Sequence, residues 1–79
     1  MLTDLTAVEK VVGAKQAKRA LRDGKARRVY LAQDADPRVT EPIAELCAQH
    51  NVPVEEVARM KDLGVACGIS VGAAVVVSL

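Results

Sequence analysis

The chain of 79 residues has room for one domain with a modest core, below the usual domain mode of about 100–150 residues. It is 51% hydrophobic but has no Trp, no Phe and one Tyr, so the core must be aliphatic, and a base-stacking platform worth about 1–3 kcal/mol per ring is ruled against. The net charge of +1 hides a segregation: eight basic residues from Lys10 to Arg28 face only Asp23, giving +7, and the remainder carries −6, an asymmetry that marks a polyanion-facing side.

Leu5, Val8, Val11 and Val12 recur at helical spacing behind Thr3 or Asp4 as an N-cap, which predicts a first helix over residues 4–12. After Gly13, the residues Ala17, Ala20 and Leu21 resume a 3.6-residue apolar stripe that stops at Gly24, predicting a second helix over residues 15–23. On that helix Lys15, Lys18, Arg19 and Arg22 fall within about 100° of one another, opposite the Ala/Leu stripe, and Gln16 flanks them. Residues 28–33 form a short apolar run that predicts a central strand buried on both faces.

Asp34-Ala35-Asp36-Pro37 is turn chemistry. Pro37 and Pro42 stand too far apart to share one first turn, so the third helix is expected to start at Thr40. It carries Ile43, Leu46 and Cys47 inward as far as His50, with Asn51 as its stop. Residues 54–57 read as a short strand. Residues 60–67 read as a fourth helix ended by Gly68, with Gly64 weakening its interior and no clear N-cap. A loop at residues 69–72 precedes a Val-rich last strand at 73–79. This alternation predicts the α/β class: a three-layer α/β/α sandwich around a small, largely four-stranded mixed sheet. One short strand remains to be found near residues 7–12 or the chain end.

Several chemistries lack their parts. Cys47 and Cys67 are 20 positions apart with no C-x-x-C pairing and only His50 as a further soft ligand, so no metal site is expected and both read as small buried hydrophobes rather than a disulfide. A catalytic site would need a convergent acid, base or nucleophile, and His50 has no signalled partner. No cofactor is therefore expected. No leader layout and no apolar run near ~20 residues is present, which predicts a soluble, cytoplasmic chain without membrane contact, acting as a monomer.

The placement of the charge is more specific than its amount. A charge run often only solvates a helix face, but Gly13-Ala14 leads straight into the basic helix, so free backbone N–H groups and the positive dipole end point outward beside Lys15 and Gln16. Lys15 and Arg19 are adjacent on the helix and can donate to guanine O6 and N7, while Gln16 both donates and accepts.

The stretches VVGAKQAKRALRDGKARRVYLAQDADP and HNVPVEEVARMKDLGVACGISVGAAVVV, covering nearly the whole chain, closely resemble the L-seven-Ae/L-thirty-e ribosomal protein family. Short bacterial members carry signatures similar to GxKQ, DADP, MKxLGxACGI and VGAA at these relative positions. The resemblance implies binding to kink-turns, in which a bulge bends an RNA helix beside tandem sheared G·A pairs and widens a groove that ordinary A-form RNA keeps narrow. Such an RNA could belong to the ribosome or another ribonucleoprotein.

Archaeal-type members read those guanines with an Asn-Glu pair and a Lys one turn later, and the aligned residues here are Lys15, Gln16 and Arg19, with Lys18 and Arg22 left to touch phosphates. The family's second contact aligns with the loop Gly68-Ile69-Ser70-Val71-Gly72-Ala73, in which Ile69, Ser70 and Val71 would shelter an extruded nucleotide. Val71 stands where many eukaryotic relatives are basic, and Met60 replaces a family Lys. Asp36 aligns with an acidic residue near the same pocket, although an acid in a turn before proline is useful without RNA. The competing reading is a non-catalytic protein-interaction module, using the last strand as a sheet edge and the acidic remainder to bind a basic partner.

Overall fold

A computed structural model describes residues 5–79. Strand β1 (Lys10–Val12), helix α1 (Ala14–Arg22), strand β2 (Arg28–Ala32), helix α2 (Pro37–Gln49), strand β3 (Val54–Val57), helix α3 (Met60–Ala66) and strand β4 (Val75–Ser78) follow in chain order. The sheet runs β1-β4-β2-β3, with β2 and β3 parallel and the other pairs antiparallel.

Alternation along β2 and β4 divides the core into two layers. Val29, Leu31, Val75 and Val77 face α1 and α2, where they meet Ala17, Ala20, Leu21, Ile43 and Cys47. Tyr30, Ala32 and Val76 face the other way, toward Leu63 and Cys67 of the α3 segment and toward Leu5. Both faces of β2 are thus buried, and the molecule is the three-layer α/β/α sandwich with a four-stranded mixed sheet that the element order predicts. Among the described residues no helix is long and apolar enough to cross a membrane.

Three expectations are corrected. The first helix does not form: Lys10–Val12 is the missing fourth strand, paired antiparallel with β4 from Lys10↔Ser78 to Val12↔Val76. The proposed caps Thr3 and Asp4 lie outside the described residues. Leu5 is still buried, held under α3 by a bond from its N–H to the Ala66 carbonyl at 2.9 Å, so the apolar spacing was real but served a turn followed by a strand.

The helix expected from Thr40 begins at Pro37 instead, with Pro42 inside it. Asp36 caps it: its carboxylate accepts from Arg38 N at 2.9 Å, and its carbonyl accepts from Val39 N at 2.8 Å. Pro42 deprives the Arg38 carbonyl of its i+4 donor, a cost of about 3 kcal/mol in a helix interior. Pro42 is exposed, where water can take that place, and the burial of Ile43 and Cys47 offsets the loss.

Finally, the last strand is not an edge. β4 lies between β1 and β2, so the interaction module built on its free edge has no such edge to use. Other stops fall where the sequence places them: Asn51 at φ 56 after α2, Gly24 at φ 69 after α1 and Gly68 at φ 74 after α3.

Candidate functional site

The N-terminal end of α1 and the loop at residues 68–74 are brought together by the sheet. Gly13 donates its N–H to the Val75 carbonyl at 2.9 Å, and Ala32 donates to the Ala74 carbonyl at 3.0 Å, so α1, the turn after β2 and the loop before β4 share one end of the sheet. Gly13 sits at φ 110, a conformation that side-chain-bearing residues rarely adopt, which lets the chain turn out of β1 directly into the helix.

No side chain caps α1 and no acid lies in its first turn, so the leading N–H groups and the positive dipole end are uncompensated. Lys15 and Gln16 lie exposed in that turn, Arg19 follows one turn on, and Lys18 and Arg22 continue the face. Among the described residues the ion pairs are Arg28–Glu55, Arg38–Asp36 and Arg59–Asp62. The four cations of the α1 face have no acidic partner among the described residues, and their charge is available to an external anion.

The loop is fixed from α3. Asp34 Oδ1 accepts the Met60 N–H at 2.8 Å, replacing the N-cap that the sequence around Met60 fails to signal, and the Met60 carbonyl accepts from Ala73 N at 3.0 Å. Gly64, which weakens α3 by propensity, is required by proximity: a Cβ there would overlap the Val71 carbonyl oxygen. The loop therefore lies directly on the helix. Its side chains remain outward, with Val71 67% exposed, Ser70 exposed and Ile69 half-buried against the core. An exposed valine on a backbone held this closely offers an apolar surface without further ordering cost.

Asp36 is at the same sheet end, but its carboxylate is engaged by its own helix. Besides the cap, it accepts from Arg38 Nη2 at 2.7 Å and Nε at 3.1 Å. The Arg38 side chain, and then its N–H, hold the Asp36 carboxyl below its ordinary value. Both cysteines are buried, and burial pushes their thiols upward, away from a reactive thiolate.

Two depressions flank α1 and α2, and their linings differ in charge. One of about 120 Å³ is lined by Gln16, Arg19, Asp23, Lys25 and Leu79 beside the basic face. The other, of about 190 Å³, lies between α2 and β3 and is rimmed by Glu41 and Glu56, which repel an anion. Sequence reasoning missed one part of the site: the Asp34 cap acts across the fold, where no local signal reveals it.

Comparison with known proteins places the chain among relatives. The model of the ribosomal protein L7Ae/L30e/S12e/Gadd45 family matches residues 5–79. The chain is 51% identical over 72 residues to an RNA-binding protein of Geobacillus sp. (strain WCH70), covering 91% of this chain and 88% of that one. It is 47% identical over 75 residues to RNA-binding protein YbxF of Geobacillus stearothermophilus, covering 95% and 92%. In structure it is similar to the Giardia lamblia 15.5kD RNA binding protein, with a TM-score of 0.84 and 31% identity over 89% of this chain and 59% of that one.

Proposed function

The chain belongs to the ribosomal protein L7Ae/L30e/S12e/Gadd45 family, and on that premise we propose that it is a non-catalytic RNA-binding protein that recognises kink-turns in structured RNA. The relatives named as RNA-binding proteins support the first half of this reading. The observation that carries the second half is the junction of the uncapped, cationic start of α1 with the apolar loop, joined through the 2.9 Å bond from Gly13 N to Val75 O.

A straight A-form helix keeps its guanine edges in a deep, narrow groove, whereas a kinked one presents them together with an unstacked nucleotide. Lys15, Gln16 and Arg19 serve the guanine edges as donors, and Lys18 and Arg22 take phosphates. Ile69, Ser70 and Val71 shelter the extruded nucleotide. Gly13 allows the close approach of backbone to RNA. Asp36 supports this surface by holding its turn, because Arg38 occupies its carboxylate. The protein acts as a monomer in the cytoplasm, as part of a ribosome or another ribonucleoprotein.

Titration of the protein with a G·A-containing kink-turn and with a duplex of equal length, at one moderate salt concentration, tests the reading. Much tighter binding of the kink-turn is the expected result. Equal affinity would show that only phosphate charge is being sensed.

A further inference from the structure

We propose that the RNA surface continues past the last turn of α1 onto Lys25 and Arg27, which hold the phosphates of a double-helical stem flanking the kink. The inference rests on the kink-turn reading and extends it to residues which that reading does not use. Reading a kink needs only the first half of α1 and the loop at residues 68–74, all at one end of the sheet. The positive charge goes further. β2 runs from the end where Ala32 N meets Ala74 O toward the end where Arg27 N meets Ser78 O, and the five residue steps between them span about 16–17 Å at 3.3 Å per residue. In sequence Lys15, Lys18, Arg19, Arg22, Lys25 and Arg27 follow from the first end to the second, and among the described residues none of them has an acidic partner.

Lys25 and Arg27 are exposed, and among the described residues neither has an acidic partner. Both are carried on a fixed backbone: Lys25 N donates to the Ala20 carbonyl at 3.0 Å, and Arg27 N donates to the Ser78 carbonyl at 2.7 Å. Lys25 lines the same small cleft as Gln16 and Arg19, which places it on the flank of the base-reading helix. The neighbouring basic residues are set aside by their own contacts. Arg28 is turned to Glu55 at 3.4 Å, and Lys10 Nζ donates to the Val8 carbonyl at 3.4 Å.

A rod of phosphate charge lying along α1 would meet Lys15, Lys18 and Arg22 and then Lys25 and Arg27 in sequence. A kinked segment without an extended stem would end before the last two. Asp23, exposed and without a cationic partner among the described residues, stands in the path of such a stem and repels it.

The test measures binding of the full chain to two kink-turn RNAs across a salt series. One RNA has flanking stems too short to span the height from Ala32 to Arg27, and the other is extended by a turn on either side. Each phosphate contact contributes about −0.7 to −0.9 to the slope of log affinity against log salt, so Lys25→Ala/Arg27→Ala should flatten the slope by about 1.4–1.8 on the long RNA and leave the short one unchanged. Asp23→Asn, a change at an exposed site, should tighten the long RNA alone. Identical slopes for the wild type and the double variant on the long RNA, or equal losses on both RNAs, would overturn the inference while leaving kink recognition intact. A wild type that shows no preference for kinked over straight RNA would overturn the kink-turn reading and this extension together.

Discussion

Asp34 Oδ1 accepts the backbone N–H of Met60 at 2.8 Å, so the turn after β2 caps a helix 26 residues further along the chain. Met60 in turn holds Ala73 through its carbonyl at 3.0 Å, which ties the loop proposed to shelter a nucleotide to the turn at Asp34. Asp34→Ala should destabilise the fold by about 1 kcal/mol, the usual worth of an N-cap. That corresponds to a fall of about 4–8 °C in Tm for a domain of this size. Asp34→Asn, which keeps an acceptor oxygen, should recover most of it. An unchanged Tm for the alanine variant would mean that the cap contributes nothing.

Gly64→Ala should lower stability even though the same change in an ordinary exposed helix interior raises it by about 0.5–1 kcal/mol. The new methyl would overlap the Val71 carbonyl, and overpacking of this kind costs about 1–3 kcal/mol. Urea unfolding gives the sign directly. A stabilised variant would show that the loop can lift off α3 at no cost.

Val71→Asp should weaken binding of a kink-turn RNA without changing the unfolding midpoint, because Val71 is 67% exposed and the added carboxylate would meet the nucleotide that the loop is proposed to shelter. Anisotropy titration and thermal melting on the same sample separate the two effects. Loss of both together would make Val71 part of the core.

The acid limb of stability should depend on Asp36. Its folded carboxyl titrates below the ordinary value because Arg38 bonds to the ionised form. Its contribution is therefore complete above the unfolded carboxyl value and is lost as pH falls through the lower folded one. Asp36→Asn should be less stable than the wild type at neutral pH, with the gap closing in strong acid. A gap that stays constant down to the lowest pH would assign the effect to packing instead.

The sequence reveals the fold wherever a segment is long enough to show its period. α1 is legible from Ala17, Ala20 and Leu21, β2 from its unbroken apolar run, and the layering from their alternation. It fails at β1, where three residues cannot display a two-residue period and Leu5 and Val8 happen to complete a helical spacing. It fails at the start of α2 because Pro42 argues for a start at Thr40, whereas the Asp36 cap with Pro37 at the first helical position outweighs an exposed proline inside the helix. In the site, the cationic face of α1 is legible from spacing alone. The placement of the start of α1 beside the strand that follows the loop is not, because it depends on β4 lying between β1 and β2, which no local pattern encodes.

Arg19 provides the most direct test of base reading by α1. It stands one turn beyond Lys15 on the exposed face, with no acidic partner among the described residues. The measurement is the affinity of Arg19→Ala and wild type for two RNAs of equal length and kink design, one with its G·A pairs intact and one with those pairs changed. Comparing the two RNAs removes the phosphate contribution they share. If the helix reads guanines, the variant should lose about 1–3 kcal/mol against the intact RNA, the range for a base-specific contact, and much less against the altered one. An equal loss on both RNAs would make Arg19 an electrostatic anchor and contradict base reading by this face.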